Sequence, residues 1–180
     1  MSTDKSNNIY MNIALEEAER GVETGEGGPF GAVIVQYKGK GKDKGKDKGK
    51  GKGKGNEPTI VARSHNMVLQ TNDPTAHAEV TCIRKACAKL GRFDLSDCVI
   101  YSTCEPCPMC FGAIHWAKLP RCEYASTAED ASLAGFSDTF IYQAIRKEPL
   151  DEVTSHQACQ FQHTPTPNAN AVFEKTYNLY

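Results

Sequence analysis

No stretch of the 180 residues approaches the roughly 18 uninterrupted apolar positions of a membrane-spanning helix, and the opening MSTDKSNNIY lacks the apolar core of a secretory signal. Neither a span nor a signal is expected, so the default setting is cytoplasmic, with no membrane partner. Net charge is nearly absent too, at −1, yet that value is a cancellation. Residues 38 to 55 read KGKGKDKGKDKGKGKGKG, nine lysines and two aspartates for +7, while the rest of the chain has 12 Lys+Arg against 20 Asp+Glu and carries −8. Outside this run the protein is acidic, which argues against a phosphate-gripping face and so against nucleic acid, beyond weak contacts of the basic run. The run itself lacks aromatic residues and an amphipathic face, the features that confer specificity, and is expected to be a solvated loop. No internal repeat is visible. The length fits one domain whose core needs no disulfide staples.

What is present is an alternation of elements. Ile9, Ile13, Ala14, Ala18 and Val22 recur at helical spacing, with Glu16, Glu17 and Glu19 off that face, and predict a first helix ending in the glycine-rich GVETGEGG. Phe30 to Tyr37 and Thr59 to Leu69 read as strands flanking the Lys/Gly run, which is then a hairpin loop grown long, at a closure cost of about 1–2 kcal/mol. Ala76 to Leu90 is a helix closed by Gly91, Cys98 to Thr103 a buried strand, and Pro108 to Ala117 a helix. A short strand at Arg121 to Ala125, a helix at Thr139 to Lys147, a short strand at Ala158 to Phe161 and a helix at Asn168 to Tyr177 complete the pattern. This predicts an α/β protein with α/β/α layers around a mixed sheet, one domain over residues 1–180 with an insert at 38–55.

The chemistry concentrates in His77-Ala78-Glu79 and, 27 residues on, Pro106-Cys107-Pro108-Met109-Cys110. One imidazole and two thiolates make three zinc ligands, with Cys107 and Cys110 one helical turn apart and a fourth position left for water. Both groups sit at the first turn of a predicted helix, where unpaired N–H groups and the dipole favour thiolate. Glu79, two residues past the ligand, is free to move protons, the arrangement of zinc deaminases. The competing reading is an inert structural zinc with Cys104 as fourth ligand, joined to a polybasic arm. Four of the eight cysteines, Cys82, Cys87, Cys98 and Cys122, read as small buried hydrophobes.

With these motifs and the texts GGPFGAVIV, NDPTAHAEV, CEPCPMCFGAIHWA and GFSDTFIY, the chain resembles the bacterial-type guanine deaminases of the cytidine-deaminase-like zinc deaminase superfamily. The resemblance covers nearly everything but the first residues and the Lys/Gly run. It implies a three-layer α/β/α fold with a five-stranded mixed sheet, one Zn2+ per subunit, and hydrolysis of guanine to xanthine and ammonia, with a zinc-bound hydroxide attacking C2. Residue by residue it implies His77, Cys107 and Cys110 as ligands and Glu79 as the proton shuttle. It further implies Phe30 and Trp116 as aromatic neighbours of the purine, Asn66 as an amide bonding it, and Ala78 as backbone lying against it. Asp138 would read the guanine edge or assist its proton transfers. Tyr180 would reach a site through exchange of the C-terminal segment, about 150–180, in a homodimer.

On pattern alone Phe30 and Trp116 would pass as core aromatics, Asn66 as a strand-end residue, Asp138 as a helix cap, and Tyr180 as a frayed terminus. The shared motifs also do not name the base. Guanosine, cytosine and amino-triazines remain alternatives, and a tRNA-adenosine deaminase is disfavoured by the acidic surface. A related plant branch acting on guanosine carries a smaller residue at the position of Trp116, so the indole here is expected to favour the free base.

Overall fold

The computed structural model describes residues 5–37 and 58–146. Helix α1 (Lys5–Glu23) lies on strand β1 (Gly31–Gln36), and the contact is close because it is made of small residues: a Cβ on Gly31 would lie 1.9 Å from the Ala14 carbonyl oxygen. The buried stripe of α1 is Ala14, Glu17, Ala18 and Gly21, one residue round from the expected face. Ile9 and Val22, expected inside, are 57% and 52% exposed. Glu17, expected outside, is buried because Arg20, Arg63 and His65 all engage its carboxylate.

Strand β2 (Thr59–His65) pairs antiparallel with β1, so the Lys/Gly run falls between adjacent hairpin strands and itself lies outside the described residues. A register shift at Ile34/Val35 turns both Val61 and Ala62 into the core. The strand does not continue to Leu69 as expected. The Asn66 side-chain oxygen accepts the Val68 N–H at 3.2 Å, turning the chain into the short helix α2 (Val68–Thr71).

Helix α3 (Ala78–Leu90) starts two residues later than expected, since His77 keeps extended backbone angles, and it stops at Gly91 with φ +66°. Strand β3 (Cys98–Cys104), fully buried, pairs antiparallel with the other side of β1. Helix α4 (Pro108–Trp116) returns over the sheet, and β4 (Cys122–Ser126) pairs parallel to β3. Two short helices follow, α5 (Ala128–Leu133) and α6 (Thr139–Arg146). Sequence reading missed α5, although Thr127 and Asp130 form a capping box that announces it.

The four described strands run β2-β1-β3-β4 as a mixed sheet. Its two faces have separate cores: Ala32, Ile34 and Ile100 pack with Cys82, Ile83, Ala86 and Ile114 of α3 and α4, while Val33, Val35, Val99 and Tyr101 pack with Ala14 of α1. That alternation of strand residues between two apolar layers makes the three-layer α/β/α fold. The fifth strand expected at residues 158–161 and the terminal helix lie outside the described residues.

Substituting Gly31→Ala is expected to force α1 off the sheet and destabilise the protein by about 1–3 kcal/mol, read as a lowered midpoint of urea unfolding. An unchanged midpoint would mean that the two backbones are not in contact.

Candidate active site

β3 delivers the chain directly to α4, and β2 reaches α3 through α2 and a turn; the ligand candidates sit at the starts of α3 and α4. His77 is the N-cap of α3 and Cys107 the N-cap of α4, with Pro108 as its first residue and Cys110 in its first turn. A turn built on Asp73, whose carboxylate accepts from the Thr75 N–H at 2.8 Å and hydroxyl at 2.6 Å, leads into His77. His77 Nδ1 lies 3.5 Å from Cys107 Sγ and 3.6 Å from Cys110 Sγ. Tetrahedral zinc with nitrogen at about 2.0 Å and sulfur at about 2.3 Å separates those atoms by roughly 3.5–3.6 Å, so the triangle fits the metal. The donor set fits as well. The neighbouring Cys110 and His77 groups hold the Cys107 pKa well below the usual thiol range, the direction that favours the sulfur form that binds a cation.

Cys104, the rival ligand, is not in this triangle, which among the described residues comprises His77, Cys107 and Cys110. It ends β3 with its thiol 3.6 Å from the Thr127 carbonyl, and burial raises its pKa to about 11. Cys82 and Cys98 are fully buried among apolar side chains, as expected, whereas Cys87 and Cys122 are only partly covered.

Glu79 is 6% exposed. The Ser102 hydroxyl donates to its Oε1 at 2.9 Å, and Oε2 accepts from the Cys110 thiol at 3.4 Å, which sets one carboxylate oxygen beside the sulfur–imidazole triangle. Burial, the dominant cause, raises the Glu79 pKa above the ordinary carboxylate range. Ser102 was not singled out from sequence. Its signal is a small hydroxyl side chain in a strand that is buried along its whole length, a group kept there only with a partner.

A cavity of about 600 Å3 opens over these groups, bounded by Phe30, Asn66, His77, Glu79, Phe136 and Asp138 among others. Phe30 and Phe136 meet edge to face with ring centres 5.2 Å apart. Phe136 is a wall residue that sequence reading passed over. Asn66 is buried, and its side-chain oxygen accepts from Gly28 N–H at 3.3 Å and Val68 N–H at 3.2 Å, leaving its NH2 to donate. The approach requires glycine at 27, where a Cβ would lie 2.1 Å from the Asn66 carbonyl oxygen. Asp138 precedes α6 and has its pKa raised, first by burial and then by the negative charge of Cys107. Ala78 is fully buried, with its methyl group in the core between the sheet and α3.

Trp116 is not in this cavity. It is 84% exposed at the far end of α4, about 13.5 Å along the helix from Cys107 at 1.5 Å per residue. The expectation that its indole screens the pocket against ribose therefore fails within one chain. Tyr180 lies outside the described residues.

The ligand assignment predicts that a Cys107→Ala variant purifies without zinc, while Cys104→Ala retains the wild-type zinc content by atomic absorption. Loss of zinc from Cys104→Ala would restore the four-ligand structural site.

Residues 4–126 match the zinc-binding region of cytidine and deoxycytidylate deaminases. The chain is 46% identical over 145 residues to a guanine deaminase from Bacillus subtilis, covering 81% of this chain and 80% of that one. A tRNA-specific adenosine deaminase from Aquifex aeolicus is 29% identical over 93% of this chain and 91% of its own. The crystal structure of the guanine deaminase from Bacillus subtilis superposes with a TM-score of 0.74 at 39% identity, covering 99% of this chain and 95% of that chain. The triangle of imidazole and thiols, the buried glutamate beside it and these matches place the chain in the cytidine and deoxycytidylate deaminase family of zinc enzymes.

Proposed function

We propose that the chain is a guanine deaminase, hydrolysing guanine to xanthine and ammonia. The observation that carries this reading is the meeting, in one cavity, of the metal-binding triangle, a buried carboxylate with one oxygen beside it, and an amide fixed as a donor. The 46% identical guanine deaminase supports the choice of base.

His77, Cys107 and Cys110 hold one zinc per subunit. When bound, that ion supplies a water acidified towards neutral pH. Glu79, its Oε1 held by Ser102, would carry two protons in turn at Oε2, passing the first to the purine ring nitrogen and the second to the departing amine, with the zinc held by His77, Cys107 and Cys110 supplying the acidified water they come from. Its raised pKa suits a group that must both take and release a proton. Asn66 donates its NH2 to an acceptor on the purine, Ala78 contributes backbone, and the Phe30 and Phe136 rings supply apolar faces for a flat heterocycle. Asp138 faces the donor edge of guanine, its carboxylate complementary to N–H groups, and assists proton transfer.

The enzyme is a single catalytic domain interrupted by the basic insert, and works as a homodimer in which the exposed rings of Phe111 and Trp116 on α4 are covered. The segment at about 150–180, with Tyr180, is exchanged in that dimer. Among the described residues no helix is long and apolar enough to cross a membrane. The setting is cytoplasmic, a reducing compartment in which cysteines such as the seven described here stay out of disulfides. Guanosine is the competing substrate, because the Trp116 indole does not close the cavity.

Glu79→Gln should keep its zinc and fold while losing about 10²–10⁴-fold in kcat for ammonia release from guanine. Wild-type turnover in that variant would remove Glu79 from the proton path.

A further inference from the structure

Around Asn66 a polar cluster, largely buried, ties three segments together. His65, the last residue of β2, is 2% exposed, and its Nε2–H donates to the carboxylate of Glu26. Its Nδ1 lies 3.4 Å from Glu17 Oε2 and 3.2 Å from Arg20 Nη2, so the ring is wedged between α1 and the loop after it. The fit is tight: a Cβ on Gly21 would sit 2.8 Å from the imidazole. Burial acts to raise the Glu17 pKa, but the bonds from Arg20 and His65 and the charges of Arg20 and Arg63 outweigh it and lower it.

Glu26 works with both its ends. Its second carboxylate oxygen accepts from the Gln70 side chain at 2.9 Å, and its backbone carbonyl accepts the N–H groups of Leu69 at 3.1 Å and Gln70 at 3.0 Å. One residue thereby fixes the position of α2 and of the loop that follows with Gly27 and Gly28. Those two segments supply the two N–H donors, Gly28 and Val68, that engage the Asn66 side-chain oxygen. If the amide flipped, its NH2 would face both donors and lose both bonds.

We propose that Glu26 and His65 are positioning residues that lock the Asn66 amide with its NH2 towards the pocket, so that the site selects purines presenting an acceptor at that edge. The proposal rests on the reading of Asn66 as a substrate-binding residue. Neither Glu26 nor His65 touches the reacting atoms. Their effect passes through Asn66, and therefore falls on substrate binding.

A double-mutant cycle on the zinc-loaded enzyme with guanine tests this. Asn66→Ala should raise KM by about tenfold, the scale of one lost hydrogen bond, with a smaller change in kcat. Glu26→Ala should raise KM several-fold in the same direction, and Glu26→Gln should recover most of the loss because its amide oxygen still accepts from His65. In the Asn66→Ala background Glu26→Ala should add nothing further to KM. Multiplying effects in the double variant, or a fall in kcat with KM unchanged, would overturn the lock. Wild-type KM in Asn66→Ala would overturn it differently, by removing Asn66 from substrate binding while leaving guanine deamination intact. Should Glu26→Ala fail to fold, Glu26→Asp, whose shorter carboxylate cannot span the same bonds, enters the cycle with the same expected outcomes.

Discussion

The site depends on two helices beginning side by side. His77 caps α3 and Cys107 caps α4, and the imidazole and two sulfurs meet at 3.5–3.6 Å because the strands feeding those helices lie on either side of β1. Helix starts favour this chemistry: unpaired N–H groups and the positive dipole end stabilise thiolate, and Pro108 occupies a first-turn position where no N–H is needed. Glu79 follows from the same geometry. The buried part of α3 begins directly after the cap, at Ala78, Glu79 and Val80, so a carboxylate two residues past His77 is carried inward, where Ser102 of β3 meets it.

Much of this was legible in the sequence. The spacing of His77, Glu79, Cys107 and Cys110 marked four residues that the structure brings together, because each lies at a helix start that local signals announce, while the sheet sets the two starts side by side. Gly91 and Pro108 marked helix ends for equally local reasons. Where tertiary pairing decided, the pattern misled. Glu17 looked like a solvent residue until three partners from α1 and β2 gathered around it. Asn66 read as a strand-end residue, but the strand was drawn on to Leu69, whereas the Asn66 side chain turns the chain just after His65. Ser102, Phe136 and the network of Glu26 and His65 became visible only when segments distant in sequence were placed together. Trp116 shows the opposite error, a position carried over by resemblance whose place in the helix keeps it out of the cavity within one chain.

The pocket sorts its polar groups by what they can still do. Asn66 has its oxygen engaged and can only donate; Glu79 has one oxygen held by Ser102 and the other beside the sulfur–imidazole triangle; Asp138 is held above the usual carboxylate range, chiefly by burial. Each group is left with one function directed at a flat polar-edged molecule, between apolar ring faces. Preorganisation of this kind concentrates discrimination in hydrogen-bond pairing, the means by which a small site rejects near-isosteres most strongly. The basic run lies apart from this logic: its nine lysines fall in sequence between two hairpin strands that pair from Gly31↔His65 to Gln36↔Thr59.

Deamination of a free guanine base in this cavity is tested by kcat/KM for ammonia release across guanine, guanosine, cytosine and adenine with the zinc-loaded protein. Guanine is expected to give the highest value, and a higher one for guanosine, cytosine or adenine would rule out guanine as the substrate for which the site is built.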